Sequence, residues 1–140
     1  MELEHLTGQI IGCAYRVYNA LGYGFLESVY ENSLVIELRK LGLTVEKQVP
    51  ITVLYDGVVV GAFVADLFVE GRVIVELKSV RAIHPVHEVQ LVNYLKATGI
   101  GIGLLINFGE QKVEVKRKYR DLPVANRTAS NPVDPVHPVR

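Results

Sequence analysis

VVVGAFVADLFVEGRVIVELKSV, residues 58–80, decides how this chain folds. Asp56-Gly57 stands just before it, a residue pair that strongly favours a two-residue hairpin turn. The stretch from Thr44, carrying Val45, Val49, Ile51 and Val53, then reads as the first strand of that hairpin. Pro50 lacks an N–H, which marks that strand as an edge or a bulged one. Val58 to Val69 is the second strand, and Glu70-Gly71 turns the chain into a third, Arg72 to Val80. The third begins almost wholly apolar, as a strand covered on both faces does.

Helices flank these strands. His5 to Leu21 carries Ile10, Ile11, Ala14, Val17, Tyr18 and Leu21 at helical spacing, ending at Gly22 and Gly24. Leu26 to Leu41 is a second helix, with Tyr30, Leu34, Leu38 and Leu41 as its stripe and Gly42 as its stop. Pro85 suits a helix start, and that helix runs to about Thr98. Ile100 to Asn107 and Lys112 to Tyr119 complete the strands, the last polar enough for an edge. Gly99, Gly101 and Gly103 do not form a dinucleotide loop, because that loop needs a strand before the glycines and a helix after them. Here the order is reversed.

The expectation is an α/β chain in the order α-α-β-β-β-α-β-β, with one domain over residues 1–120. Residues 121–140 hold four of the six prolines and no periodicity, and read as an extended or disordered tail.

With 140 residues, 49% apolar and 21% charged, the chain can bury a core of its own. Its single cysteine, Cys13, allows no internal disulfide and no cysteine metal cluster. Set in an apolar helix with no histidine near it, Cys13 reads as structural rather than nucleophilic. No apolar run approaches a membrane span, and MELEHLTGQI is no signal peptide, so a cytoplasmic location is expected. The net charge of zero excludes a polycation that coats nucleic acid. Residues 1–70 nevertheless hold 4 basic and 9 acidic residues, and residues 71–140 hold 11 and 6.

Some polar residues sit where apolar ones belong. Asp66 lies inside the second strand, and Glu76 and Lys78 share one face of the third. If Val69 pairs with Arg72, Asp66 lies opposite Val75; with a turn one residue longer it lies opposite Glu76. Two carboxylates that close repel, and a divalent cation removes the cost. Oxygen ligands with water are the set Mg²⁺ prefers. A lysine beside them can hold an attacking water or steady developing negative charge. The plainer alternative is a surface salt-bridge cluster. On the second helix Glu27 falls within the Tyr30–Leu34–Leu38 stripe, toward the core, although a first-turn glutamate also suits the helix dipole. On the third helix His87, Gln90, Tyr94 and Thr98 form a polar wedge, with Val86, Val89, Leu91, Val92 and Leu95 filling most of the rest as a buried surface. A catalytic pocket or an ordinary buried hydrogen-bond network would serve such a wedge.

Asp66 followed by Glu76-Leu77-Lys78 resembles the PD-(D/E)XK nuclease signature, with Ala65-Asp66 in place of Pro-Asp. Gln90 and Tyr94 match the QxxxY motif of its RecB-like branch, and Gly24, Glu27 and Tyr30 match the motif of the GxxExxY family. The resemblance covers roughly residues 5–119. It implies a restriction-endonuclease-like core, a mixed sheet flanked by helices. It also implies that Asp66 and Glu76 bind Mg²⁺ or Mn²⁺ with the main-chain carbonyl of Leu77. Lys78 would orient or activate the water, and Glu27 would be an additional acidic residue. Gln90 and Tyr94 would shape the site and contact the nucleic acid. His87, Arg81 and Lys96 would contact its backbone, and His84 would either join them or cap the helix.

Two further uses of such a fold stand beside hydrolysis of nucleic acid, DNA in preference to RNA. One is a catalytically silent module that binds nucleic acid or a protein; the other is an enzyme for a small molecule at the same site. A homodimer would help a core this small span a duplex. The basic residues Lys78, Arg81, Lys96, Lys116, Arg117, Lys118 and Arg120 are expected to rim the site where a phosphate backbone would lie.

Overall fold

The computed structural model describes residues 2–120; the expectation for residues 121–140 lies outside the described residues. The elements are α1 (Leu3–Leu21), α2 (Glu27–Lys40), β1 (Val45–Tyr55), β2 (Val58–Val69), β3 (Val73–Lys78), α3 (Pro85–Thr98), β4 (Ile102–Phe108) and β5 (Val113–Tyr119). The five strands form one sheet in the order β1-β2-β3-β4-β5. Only β3 and β4 run parallel, joined through α3; the other neighbours are antiparallel. The α/β order expected from the sequence is therefore the order observed. No helix among the described residues is long and apolar enough to cross a membrane.

The turns follow from backbone chemistry. Asp56 and Gly57 both take positive φ, 54° and 80°, the geometry of the tight hairpin turn. At the second turn Val69 pairs with Val73, so three residues, Glu70 to Arg72, make the loop. This is the longer of the two turns considered, and it sets Asp66 in register with Glu76.

The sheet is covered on both faces. One face packs on α1 and α2 through Leu6, Ile10, Ala14, Leu34 and Leu38 against Val73, Val75, Leu77, Leu104 and Ile106. Cys13 is buried in this layer, where desolvation pushes its thiol up. Among the described residues the other face carries α3 alone, whose Leu91, Tyr94 and Leu95 pack on Ile51, Ala65, Ile74 and Leu105. β3 and β4 are buried on both sides, as their continuous apolar runs require.

Two expectations need correction here. Among the described residues a single helix covers this face, and α3 is not otherwise buried: Val86 and Val89 are 56% and 57% exposed. Leu41 is exposed at the C-cap of α2 rather than extending its stripe. The glycine series is structural, as expected. Gly99 caps α3 in the left-handed conformation, and a Cβ on Gly103 would lie 2.7 Å from a Leu91 methyl carbon.

Candidate active site

The pairing of β2 with β3 stops at Leu67 and Val75, and beyond that point the strands part. Side chains complete the hydrogen bonds that the ladder leaves open. Glu76 Oε2 accepts from the Asp66 backbone N–H at 2.8 Å. Asp66 Oδ2 accepts from the Leu77 N–H at 2.8 Å. The two carboxylates are thus held in the fork by each other's strand, as buried backbone groups demand partners.

Glu76 is only 7% exposed. Burial, and next the charge of Asp66, push its carboxyl up to about 8. Asp66 is also raised, chiefly by burial. Lys78 lies on the Glu76 face of β3, and its charge opposes both shifts. The fork therefore resists holding both negative charges without a positive partner.

Each candidate residue can be followed to its place. Glu27 opens α2 and is exposed, a correction to its expected core-facing position. Its Oε2 accepts from Ser79 N–H at 3.3 Å, one residue past Lys78. The loop before it is tied to the core by Tyr30, which is fully buried. The Tyr30 hydroxyl donates to Gly22 O and accepts from Phe25 N–H, and its ring stacks on Phe108 at 4.3 Å. Gly24, at φ 114°, makes the bend that this loop needs. The loop is also bonded to the end of β3, since Ser79 Oγ donates to Phe25 O at 2.8 Å.

On the α3 side, Gln90, Tyr94 and Lys96 line one cavity of about 710 Å³ with Phe63, Val86 and Val89. It adjoins the carboxylates through Tyr94, whose hydroxyl is pushed up by burial and by the charges of Glu76 and Asp66. His84 and His87 cap α3: His84 Nδ1 accepts from Val86 N–H at 3.0 Å, and His87 Nδ1 accepts from His84 N–H at 3.2 Å. Burial, and next the charge of Lys78, push His87 down. Arg81 is not in the α3 cavity; it faces Glu110 at 3.9 Å beside the loop to β5.

The expected basic rim is split by strand geometry. On β5, Arg117 faces α1 and reaches Thr7, while Lys118 on the other face pairs with Glu88 of α3 at 3.0 Å. Lys116 lies in the row of Leu105 and Glu76, two strands from the carboxylate. Arg120 bonds to Gly99 at the far end of α3.

Three residues of the site escaped sequence reasoning. Glu31, one turn beyond Glu27, is 9% exposed and is the buried carboxylate of α2, pushed up by burial. Gln48 of β1 donates from Nε2 to both Glu31 oxygens, at 2.9 and 3.2 Å. Asn107 is fully buried beside the exit of β3. Its Oδ1 accepts from Val80 N–H, and its Nδ2 donates to Val80 O and to Glu114 Oε1. A polar residue closing the apolar run IGLLIN was a readable signal for Asn107, and Glu31, three residues before Leu34 and seven before Leu38, stood at the spacing of the α2 stripe; Gln48 carried none.

Residues 4–118 match the PD-(D/E)XK nuclease superfamily, and the chain belongs to it. A solved protein titled "Crystal structure of SSO0001" shares the fold at a TM-score of 0.53 and 17% identity. The match covers 71% of this chain and 52% of that one, so the chain spans about half that protein's length. No curated protein matches.

Proposed function

We propose that this chain is a metal-dependent nuclease that hydrolyses phosphodiester bonds, DNA in preference to RNA. We place it in the GxxExxY family and the RecB-like branch, on Gly24, Glu27, Tyr30, Gln90 and Tyr94. The observation that carries the reading is the reciprocal bonding of Asp66 and Glu76 in the fork, with Lys78 on the Glu76 face.

The donors fit Mg²⁺ or Mn²⁺. Among the described residues no group of three or more His, Cys, Asp or Glu is placed to hold an ion by itself. Two carboxylates, Asp66 and Glu76, with the Leu77 carbonyl and water, suit an ion that keeps part of its water. A buried carboxyl at about 8 gains most from a cation beside it. When bound, that cation supplies Lewis acidity at the phosphate. Lys78 orients the attacking water and steadies negative charge as it develops on the phosphate oxygens. Glu27 adds acidity at the helix end of the site. Gln90 and Tyr94 shape the substrate groove, and His87, Arg81 and Lys96 hold the backbone. Residues 1–120 act as one domain in the cytoplasm, and a second copy lets it span a duplex.

The test is cleavage of single-stranded, duplex and branched DNA and of RNA, with Mg²⁺ or Mn²⁺. Activity should fall at least ~100-fold in Lys78→Ala, a general acid–base-sized effect, and in Glu76→Gln. Wild-type protein inert on every substrate would sink the enzyme reading. The silent-module alternative draws on the mostly apolar cavity beside α3; calorimetry with Mn²⁺ separates the two, since the module needs no metal.

A further inference from the structure

Gln48 is a non-glycine residue at φ 52°, inside a strand, where extended backbone is the rule. It faces Asp66 in register, between the pairs Lys47–Leu67 and Val49–Ala65, but is left out of the ladder. The twist reverses the alternation of β1. Lys47 reaches Asn32 of α2 at 2.6 Å, and the next residue, Gln48, reaches Glu31 of the same helix. Side chains of consecutive residues in a regular strand point to opposite faces. Odd-numbered residues accordingly change layers: Val45, Leu67 and Val69 pack toward α1 and α2, and Ile51 and Ala65 pack toward α3. Strain of this kind persists only where the surroundings hold it.

What holds it is the site. The Gln48 amide donates to Glu31 at 2.9 and 3.2 Å, and Gln48 stands opposite Asp66 in register, whose carboxyl is raised by burial and held back in part by the Gln48 side chain. An amide there places two N–H donors where a second strand residue would leave Glu31 facing Asp66 across the gap. We propose that Gln48 is a positioning residue for the metal site: its amide fixes the Asp66 carboxylate and keeps Glu31 from displacing or neutralising it. This rests on the metal-dependent reading above. It assigns Glu31 to the support of the site rather than to the ligands.

The test is Mn²⁺ binding by calorimetry on the whole chain. Gln48→Gly accepts the positive φ and removes the whole side chain, the amide with it. Gln48→Asn also suits that φ but is one methylene short, and serves if the glycine variant folds poorly. Either should weaken Mn²⁺ binding by roughly 10–100-fold, the range for outer-shell partners of a metal site. Adding Glu31→Gln to Gln48→Gly should regain a measurable part of that loss, which a merely structural role for Gln48 would not do. Folded variants that bind Mn²⁺ as tightly as the wild type would overturn the inference while leaving the nuclease reading intact. So would a loss that Glu31→Gln does not relieve. Wild-type protein that takes up no Mn²⁺ would overturn the nuclease reading first, and the inference with it.

Discussion

Asp66 and Glu76 each bond the backbone at the other's strand, Glu76 to the N–H of Asp66 and Asp66 to the N–H of Leu77. The residues proposed to bind the metal therefore also hold the fork of the sheet together. Truncating either to alanine would leave a buried N–H unpaired, at about 1–3 kcal/mol. Glu76→Gln is the cleaner probe of charge, because its amide oxygen can still accept from Asp66.

The raised carboxyl of Glu76 sets the pH dependence of the metal-free protein. Its ordinary value is 4.5 and its folded value about 8. The folded state therefore holds a proton that the unfolded chain has released, and stability falls as pH rises from 4.5 to 8. Each unit of the difference is worth ~1.4 kcal/mol. Asp66, also raised, adds to the fall from its lower starting point, and the lowered His87 works the other way below its ordinary 6.5. Urea midpoints at pH 5, 6.5 and 8 should decline in chelator, and Glu76→Gln should flatten the decline. Added Mn²⁺ should raise the midpoint most at pH 8, where the cation meets less competition from protons. A metal-free midpoint that is level or climbs from pH 5 to 8 would contradict the buried, charge-averse fork.

Asn107 should behave as a clamp on the exit of β3. It satisfies both backbone groups of Val80 and one oxygen of Glu114 from a fully buried position. Asn107→Ala removes three bonds and should cost roughly 3 kcal/mol, seen as a lower urea midpoint at unchanged slope. Asn107→Asp keeps an acceptor for the Val80 N–H but sets an oxygen against Val80 O and Glu114. It should be no better than alanine, and Glu114→Gln should restore part of the loss. An aspartate variant as stable as the wild type would show that the clamp is misassigned.

Local chemistry explains what was legible beforehand. Asp56-Gly57 and the apolar run of β3 announce the hairpin and the doubly covered strand. Together they bring Asp66 to Glu76, within one residue of register. The missing parts are consequences of departures from ideal geometry. Nothing in the residue type of Gln48 signals a positive φ, and without that reversal Gln48 and Glu31 have no reason to meet. Val86 and Val89 sit at core-like spacing, yet among the described residues only one helix covers their side of the sheet. The run Lys116-Arg117-Lys118 reads as one basic patch along the sequence, but strand alternation sends Arg117 to α1 and ties Lys118 to Glu88.

That split gives the charge arrangement a direct test. If nucleic acid lies along the α3 cavity, across the fork and on past the end of β3 toward the β4–β5 loop, Lys96 and Arg81 contact phosphate and Arg117, on the α1 face, does not. Each phosphate contact contributes about 0.7–0.9 to the slope of log affinity against log salt. In the inactive Glu76→Gln background, Arg81→Ala and Lys96→Ala should each lower that slope by nearly 1 and weaken binding across sequences alike. Arg117→Ala should leave the slope unchanged. Fluorescence anisotropy with labelled single-stranded and duplex DNA from 50 to ~200 mM salt covers the range where such contacts are lost. Equal effects from Arg117→Ala and Lys96→Ala would place the nucleic acid away from the fork, and Lys78 could not then be the residue that serves its phosphates.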